Sequence, residues 1–119
     1  MRKESSGSVR IFWPRLDRED VLHRLREGIP VLAQQLPLVR VVLFGSYAKG
    51  NYAVGSDVDV VIVYRGERRE DAYAIARRAL ALPGLEPHLY AEADYAAVKD
   101  TVDRMCAEGV VLFPEGAPA

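Results

Sequence analysis

The chain has 119 residues, half of them hydrophobic, a net charge of -1 and a single cysteine, Cys106. That length is read as one domain, 1–119, with room for a real core but not for a catalytic unit plus a separate substrate domain. The near-neutral charge argues against non-specific nucleic-acid binding and the lone cysteine against an internal disulfide. With no apolar run near the ~20 residues of a membrane span, a cytoplasmic protein without membrane contact is expected.

In chain order, the polar start (about 1–8) reads as flexible, and Ser8–Trp13 reads as a short edge strand that Pro14 ends. Asp17 is a good helix N-cap, with Asp20 in the first turn, and Val21, Leu22, Leu25, Ile29, Leu32, Ala33 and Leu36 recur at helical spacing. Pro30 cannot donate to the Arg26 carbonyl, so a kink or a break into two pieces is expected there. His23 falls on the polar face as an ordinary surface histidine. Leu38–Phe44 and Val58–Tyr64 are β-branched runs bounded by turn residues and read as two central strands. Between Arg68 and Leu82, an apolar stripe of Ala72, Ile75, Ala76, Ala79 and Leu80 predicts a helix that crosses back over the sheet and stops at Pro83-Gly84. Leu85–Tyr90 reads as a third strand, at an edge or irregular because of Pro87. Asp94 is read as the cap of a last helix through Ala107, and Val110–Phe113 as a final short strand before a flexible tail (about 115–119). Alternating strands and helices without repeats imply an α/β domain, a small mixed sheet flanked by helices.

The chemistry concentrates between Leu43 and Val63. Gly45 and Gly50 bracket Ser46-Tyr47-Ala48-Lys49, so the backbone can take positive φ and approach a phosphate closely. Asp57 and Asp59 are one residue apart in a strand pattern, which puts both carboxylates on one face with Cα atoms about 6.6 Å apart. They could be a strand cap and a solvated alternate position. Against that, Asp59 lies among Val58, Val60, Val61, Ile62 and Val63, where a carboxylate without a cation or hydrogen bonds is costly. Tyr47 is read as packing against the turn rather than stacking on a base.

Gly45-Ser46, then Gly50, then Ser56-Asp57-Val58-Asp59 resembles the signature of the DNA polymerase β-like nucleotidyltransferase superfamily, and the whole chain resembles a minimal nucleotidyltransferase domain. The resemblance implies transfer of a nucleoside monophosphate, AMP from ATP, from a nucleoside triphosphate to a hydroxyl acceptor. Gly45, Ser46, Lys49, Gly50 and Ser56 would then serve the nucleotide, with Lys49 standing where relatives often carry Arg and so losing bidentate geometry. Asp57 and Asp59 would hold two Mg²⁺, or Mn²⁺, a pair that can stabilise the attacking and leaving oxygens of an in-line displacement. Relatives commonly carry a third acid on the next strand, and Glu86 is the candidate here, as catalytic group and metal ligand. His88 shares its face as a further base or ligand, but imidazole suits Mg²⁺ poorly. The resemblance also implies a partner, a HEPN-domain toxin neutralised by binding or by modification of a tyrosine. An acceptor that docks by itself, a homo-oligomer, and a catalytically weak or inactive module that neutralises by binding are the alternatives at this stage.

Overall fold

The computed structural model describes residues 16–53 and 55–115. The strand expected over Ser8–Trp13 and the stretch before it lie outside these residues, as does the expected tail beyond Glu115. Among the described residues four helices and four strands alternate: α1 (Arg18–Gln35), β1 (Leu38–Phe44), α2 (Ser46–Lys49), β2 (Val58–Tyr64), α3 (Ala72–Leu80), β3 (Leu85–Ala91), α4 (Glu92–Met105) and β4 (Val110–Phe113). The sheet order is β3-β2-β1-β4. Strand β1 pairs antiparallel with both β2 and β4, whereas β2 and β3 are parallel because α3 carries the chain back across the sheet between them. Among the described residues no helix is long and apolar enough to cross a membrane.

Both faces of the sheet are covered, which explains why β2 reads as an almost unbroken apolar run. Val58, Val60, Ile62 and Tyr64 point into the larger core beneath α1 and α3, and Val61 and Val63 into a smaller one with Val102 and Cys106. Asp59 has the parity of Val61 and Val63 and therefore lies on the α4 face. Helix α4 follows the end of β3 away from Asp59 and leads into β4, whose Val110 pairs with Leu43, and at the corner by the start of β3 Asp59 and His88 stay partly exposed and Glu86 exposed. An edge position suits Pro87, which has no N–H to offer a neighbour.

The start of α1 is a reciprocal capping box: Asp17 accepts from the Asp20 N–H at 2.8 Å, and Asp20 accepts from the Asp17 N–H at 3.2 Å. The expected break at Pro30 does not occur, since Arg18–Gln35 is one helix. A proline inside a helix, through the lost backbone bond and the clash of its ring with the carbonyl four residues back, costs about 3 kcal/mol. That is outweighed because Val21, Leu22, Leu25 and Ile29 before the proline and Leu32 after it are buried on one surface, at roughly 1.5–3 kcal/mol for each large side chain. Gly28 lets α1 approach α3, for a Cβ there would lie 2.9 Å from the Ala79 carbonyl oxygen.

Two helix starts are corrected. Helix α3 begins at Ala72 rather than Arg68, because Arg69 is engaged otherwise: its N–H donates to the Tyr64 hydroxyl at 2.9 Å and its guanidinium forks onto Asp71 at 2.9 and 3.0 Å. Helix α4 begins at Glu92 straight out of β3, and its N-cap, Ala91, offers no side-chain bond. Asp94 is therefore in the first turn rather than at the cap, and its carboxylate accepts from Arg68 at 3.1 Å. On the far face Arg40 of β1 donates to Tyr95 at 3.0 Å and to Asp103 at 2.9 Å, fastening α4 to the sheet.

Candidate active site

The sheet register assembles the site. Phe44, the last residue of β1, is the pairing partner of Asp59, and Asp59 is in turn the partner of Glu86, while Val61 is paired with His88. Paired residues share a face, so Phe44, Asp59, Glu86 and His88 lie together on the α4 side at the uncovered corner. Asp57 is exposed just before β2, and Glu86 is exposed on the edge strand.

Asp59 is the best-defined member. Its side chain is 26% exposed, and each carboxylate oxygen has a distinct neighbour. Oδ1 lies 3.4 Å from Nε2 of His88. Oδ2 faces Gly45, where a Cβ would approach it to 2.7 Å. Gly45 also has φ of +78° with ψ of -154°, a conformation essentially confined to glycine that costs a side chain about 1–3 kcal/mol. Glycine is thus required twice over at this position, by the turn and by the carboxylate.

Beyond Gly45 the Ser46-Tyr47-Ala48-Lys49 segment is a single helical turn, closed by Gly50 at φ +84° in the left-handed conformation. The Ser46 carbonyl accepts from the Gly50 and Asn51 N–H groups at 2.9 and 3.2 Å. Tyr47 is buried and stacks on Tyr52 with centroids 4.3 Å apart, consistent with a packing role. The turn is tied to the start of α1, since Tyr47 donates to the Leu16 carbonyl at 3.3 Å, the Arg18 N–H to the Tyr52 hydroxyl at 3.0 Å, and Arg18 Nε to the Ala48 carbonyl at 3.3 Å. Lys49 and Gly50 are exposed. Ser56 uses its hydroxyl within the loop, accepting from the Ala53 N–H at 2.8 Å.

Of the residues expected to share a metal, Asp59 and Glu86 are therefore on one side of the sheet and Asp57 stands just before it, but the three are not gathered into a cage. Among the described residues no three His, Cys, Asp or Glu side chains come close enough to hold an ion together. It is His88, not Glu86, that reaches Asp59, and the His88 ring is held edge-on to Phe44 with centroids 5.1 Å apart. The Phe44 contact and the clamp from Tyr52 and Arg18 escaped sequence reasoning. They join residues some 30 or more positions apart, and no local pattern announces them.

The family described as nucleotidyltransferase domain has a model that matches residues 25–106. No curated protein is detectably similar in sequence. Among solved structures, a Sulfolobus solfataricus protein provisionally described as a nucleotidyltransferase is 20% identical, with a TM-score of 0.54 over 79% of this chain and 80% of that one. A mutant of the MntA–HpeT toxin–antitoxin pair is 19% identical over 85% of this chain and 76% of that one, with a TM-score of 0.49.

Proposed function

The chain belongs to the nucleotidyltransferase domain family and has its fold, a small mixed sheet flanked by helices, and from that premise we propose that it is a Mg²⁺-dependent transferase that moves AMP from ATP to a hydroxyl acceptor. The observation that carries this reading is the bracketing of Asp59 between Gly45 and His88, at the point where the glycine turn ending β1 meets the acidic start of β2.

The donor chemistry fits Mg²⁺. Carboxylate oxygens are hard ligands, and Mg²⁺ is usually held by one or two carboxylates together with substrate phosphates rather than by an all-protein cage. Asp57 and Asp59 would hold it, with Glu86, the strand partner of Asp59, as the third acid, and Mn²⁺ would satisfy the same donors. When bound, the ion supplies charge neutralisation at the transferring phosphoryl group. The Ser46 hydroxyl and the backbone N–H groups beside Gly45 bind the terminal phosphates, and Lys49 adds a point charge. The acceptor oxygen forms a bond to the α-phosphorus, the bond to the β-phosphate oxygen breaks, and pyrophosphate leaves. Glu86, exposed on the edge strand, takes the acceptor's proton.

The proposed acceptor is a tyrosine of a HEPN-domain toxin in the cytoplasm, with the chain acting as its antitoxin. The resemblance to minimal nucleotidyltransferases supports this, and the open corner of the sheet leaves room for a docked protein surface. Neutralisation by binding alone is favoured by one observation, the lack of a gathered three-acid cage among the described residues. A co-encoded toxin incubated with the chain, ATP and Mg²⁺ should gain the mass of one AMP on tyrosine, at substoichiometric protein. Asp59→Asn should abolish the modification. Equal stoichiometric protection by that variant, without a mass change, refutes the transferase reading and leaves the binding one.

A further inference from the structure

We propose that His88 is the positioning residue of the site: its Nε2–H donates to Oδ1 of Asp59 and sets the angle at which that carboxylate meets a divalent cation. The inference rests on the reading of Asp59 as a cation ligand. It assigns a role to a side chain that the nucleotidyltransferase motif does not include.

Three observations support it. First, a carboxylate only accepts hydrogen bonds, so the ring nitrogen facing Asp59 is the protonated one and His88 acts as a donor. The 3.4 Å separation is long for a hydrogen bond, and such contacts commonly tighten once the ligand is in place. Second, the imidazole is itself held. Strand register places His88 beside Val61, one step inward from Asp59 on the same face, and the edge-on contact with Phe44 at 5.1 Å limits its rotation. Third, Oδ2 lies against Gly45, so His88 at Oδ1 fixes the remaining freedom of the carboxylate. Ligating carboxylates are ordinarily oriented by such outer partners, and losing one typically costs 10–100-fold in metal affinity. Glu86 cannot take this role, because a carboxylate offers Asp59 no donor and adds like charge.

The test measures Mn²⁺ binding by electron paramagnetic resonance on the full chain, with a non-hydrolysable ATP analogue so that turnover plays no part. His88→Leu and His88→Asn should weaken Mn²⁺ by roughly tenfold or more. His88→Gln, whose amide N–H reaches about as far as the imidazole, should restore affinity to within about threefold, and pulsed spectra of wild type should lack a directly bound imidazole nitrogen. Wild-type affinity in both His88→Leu and His88→Asn overturns the assignment. So does a His88→Gln variant as weak as those two at an unchanged melting temperature, since shape rather than donation would then matter. An imidazole nitrogen on the ion overturns it too, by making His88 a ligand. Failure of the wild type itself to bind Mn²⁺ overturns the metal reading beneath it, and is told apart because no variant then differs from wild type.

Discussion

Replacing Gly45 by alanine adds one methyl group and tests the geometry of the site directly. Two costs add. The φ of +78° with ψ of -154° is strained for any residue with a Cβ, at about 1–3 kcal/mol. The new Cβ would also lie 2.7 Å from Oδ2 of Asp59, so the carboxylate must swing off its rotamer and away from His88, at roughly 0.5–1.5 kcal/mol. A loss of about 1.5–4.5 kcal/mol follows, or roughly 6–18 °C in melting temperature for a domain of this size. Urea denaturation of Gly45→Ala, Asp59→Ala and the double variant separates the two costs. In the Asp59→Ala background the collision is gone and only the backbone strain remains, so the cycle should show a coupling of about 0.5–1.5 kcal/mol. Additive effects would refute the contact between the turn and Asp59. No destabilisation in either background would refute the strained backbone at Gly45 as well.

Mg²⁺ with a nucleoside triphosphate should stabilise the chain by about 2.7 kcal/mol at a hundredfold excess over Kd. Asp57→Asn with Asp59→Asn should remove the metal-dependent part in thermal melts, and an unchanged shift would mean the carboxylates do not hold the ion. Glu86→Gln should lower transfer by orders of magnitude while leaving that nucleotide-linked stabilisation intact, and wild-type activity would remove Glu86 from the chemistry. The carboxyl of Asp103 is held below the ordinary carboxylate range first by Lys99, at 2.7 Å, and then by Arg40. Its contribution is therefore present above the ordinary aspartate pKa of about 4 and is lost as pH falls through the depressed value. Lys99→Ala should make the acid side of the stability curve shallower below about pH 4 in denaturation at stepped pH, and an unaltered slope would contradict the pairing.

The elements of this fold were legible because each is written in local chemistry. Asp17 with Asp20 marks the start of α1, and the β-branched runs of β1 and β2 lie between turn residues. Pro87 requires an outward backbone position and so an edge, and the spacing of Gly45, Ser46, Asp57 and Asp59 marks out the candidate site. Where local signals competed with packing, packing prevailed. Pro30 does not interrupt α1, because the apolar side chains on both sides of it share one surface. Arg69 delays α3 by bonding to Tyr64 and Asp71, and Asp94 turns to Arg68 instead of capping α4. Only tertiary structure could decide which side chain of β3 meets Asp59. Sequence places Glu86 and His88 on one face, but the choice between them depends on pairing with a strand some 27 residues earlier and on the Phe44 ring at the end of a third strand. Those contacts join separate strands, so the register of the sheet, and no pattern within any one strand, puts the imidazole against the carboxylate.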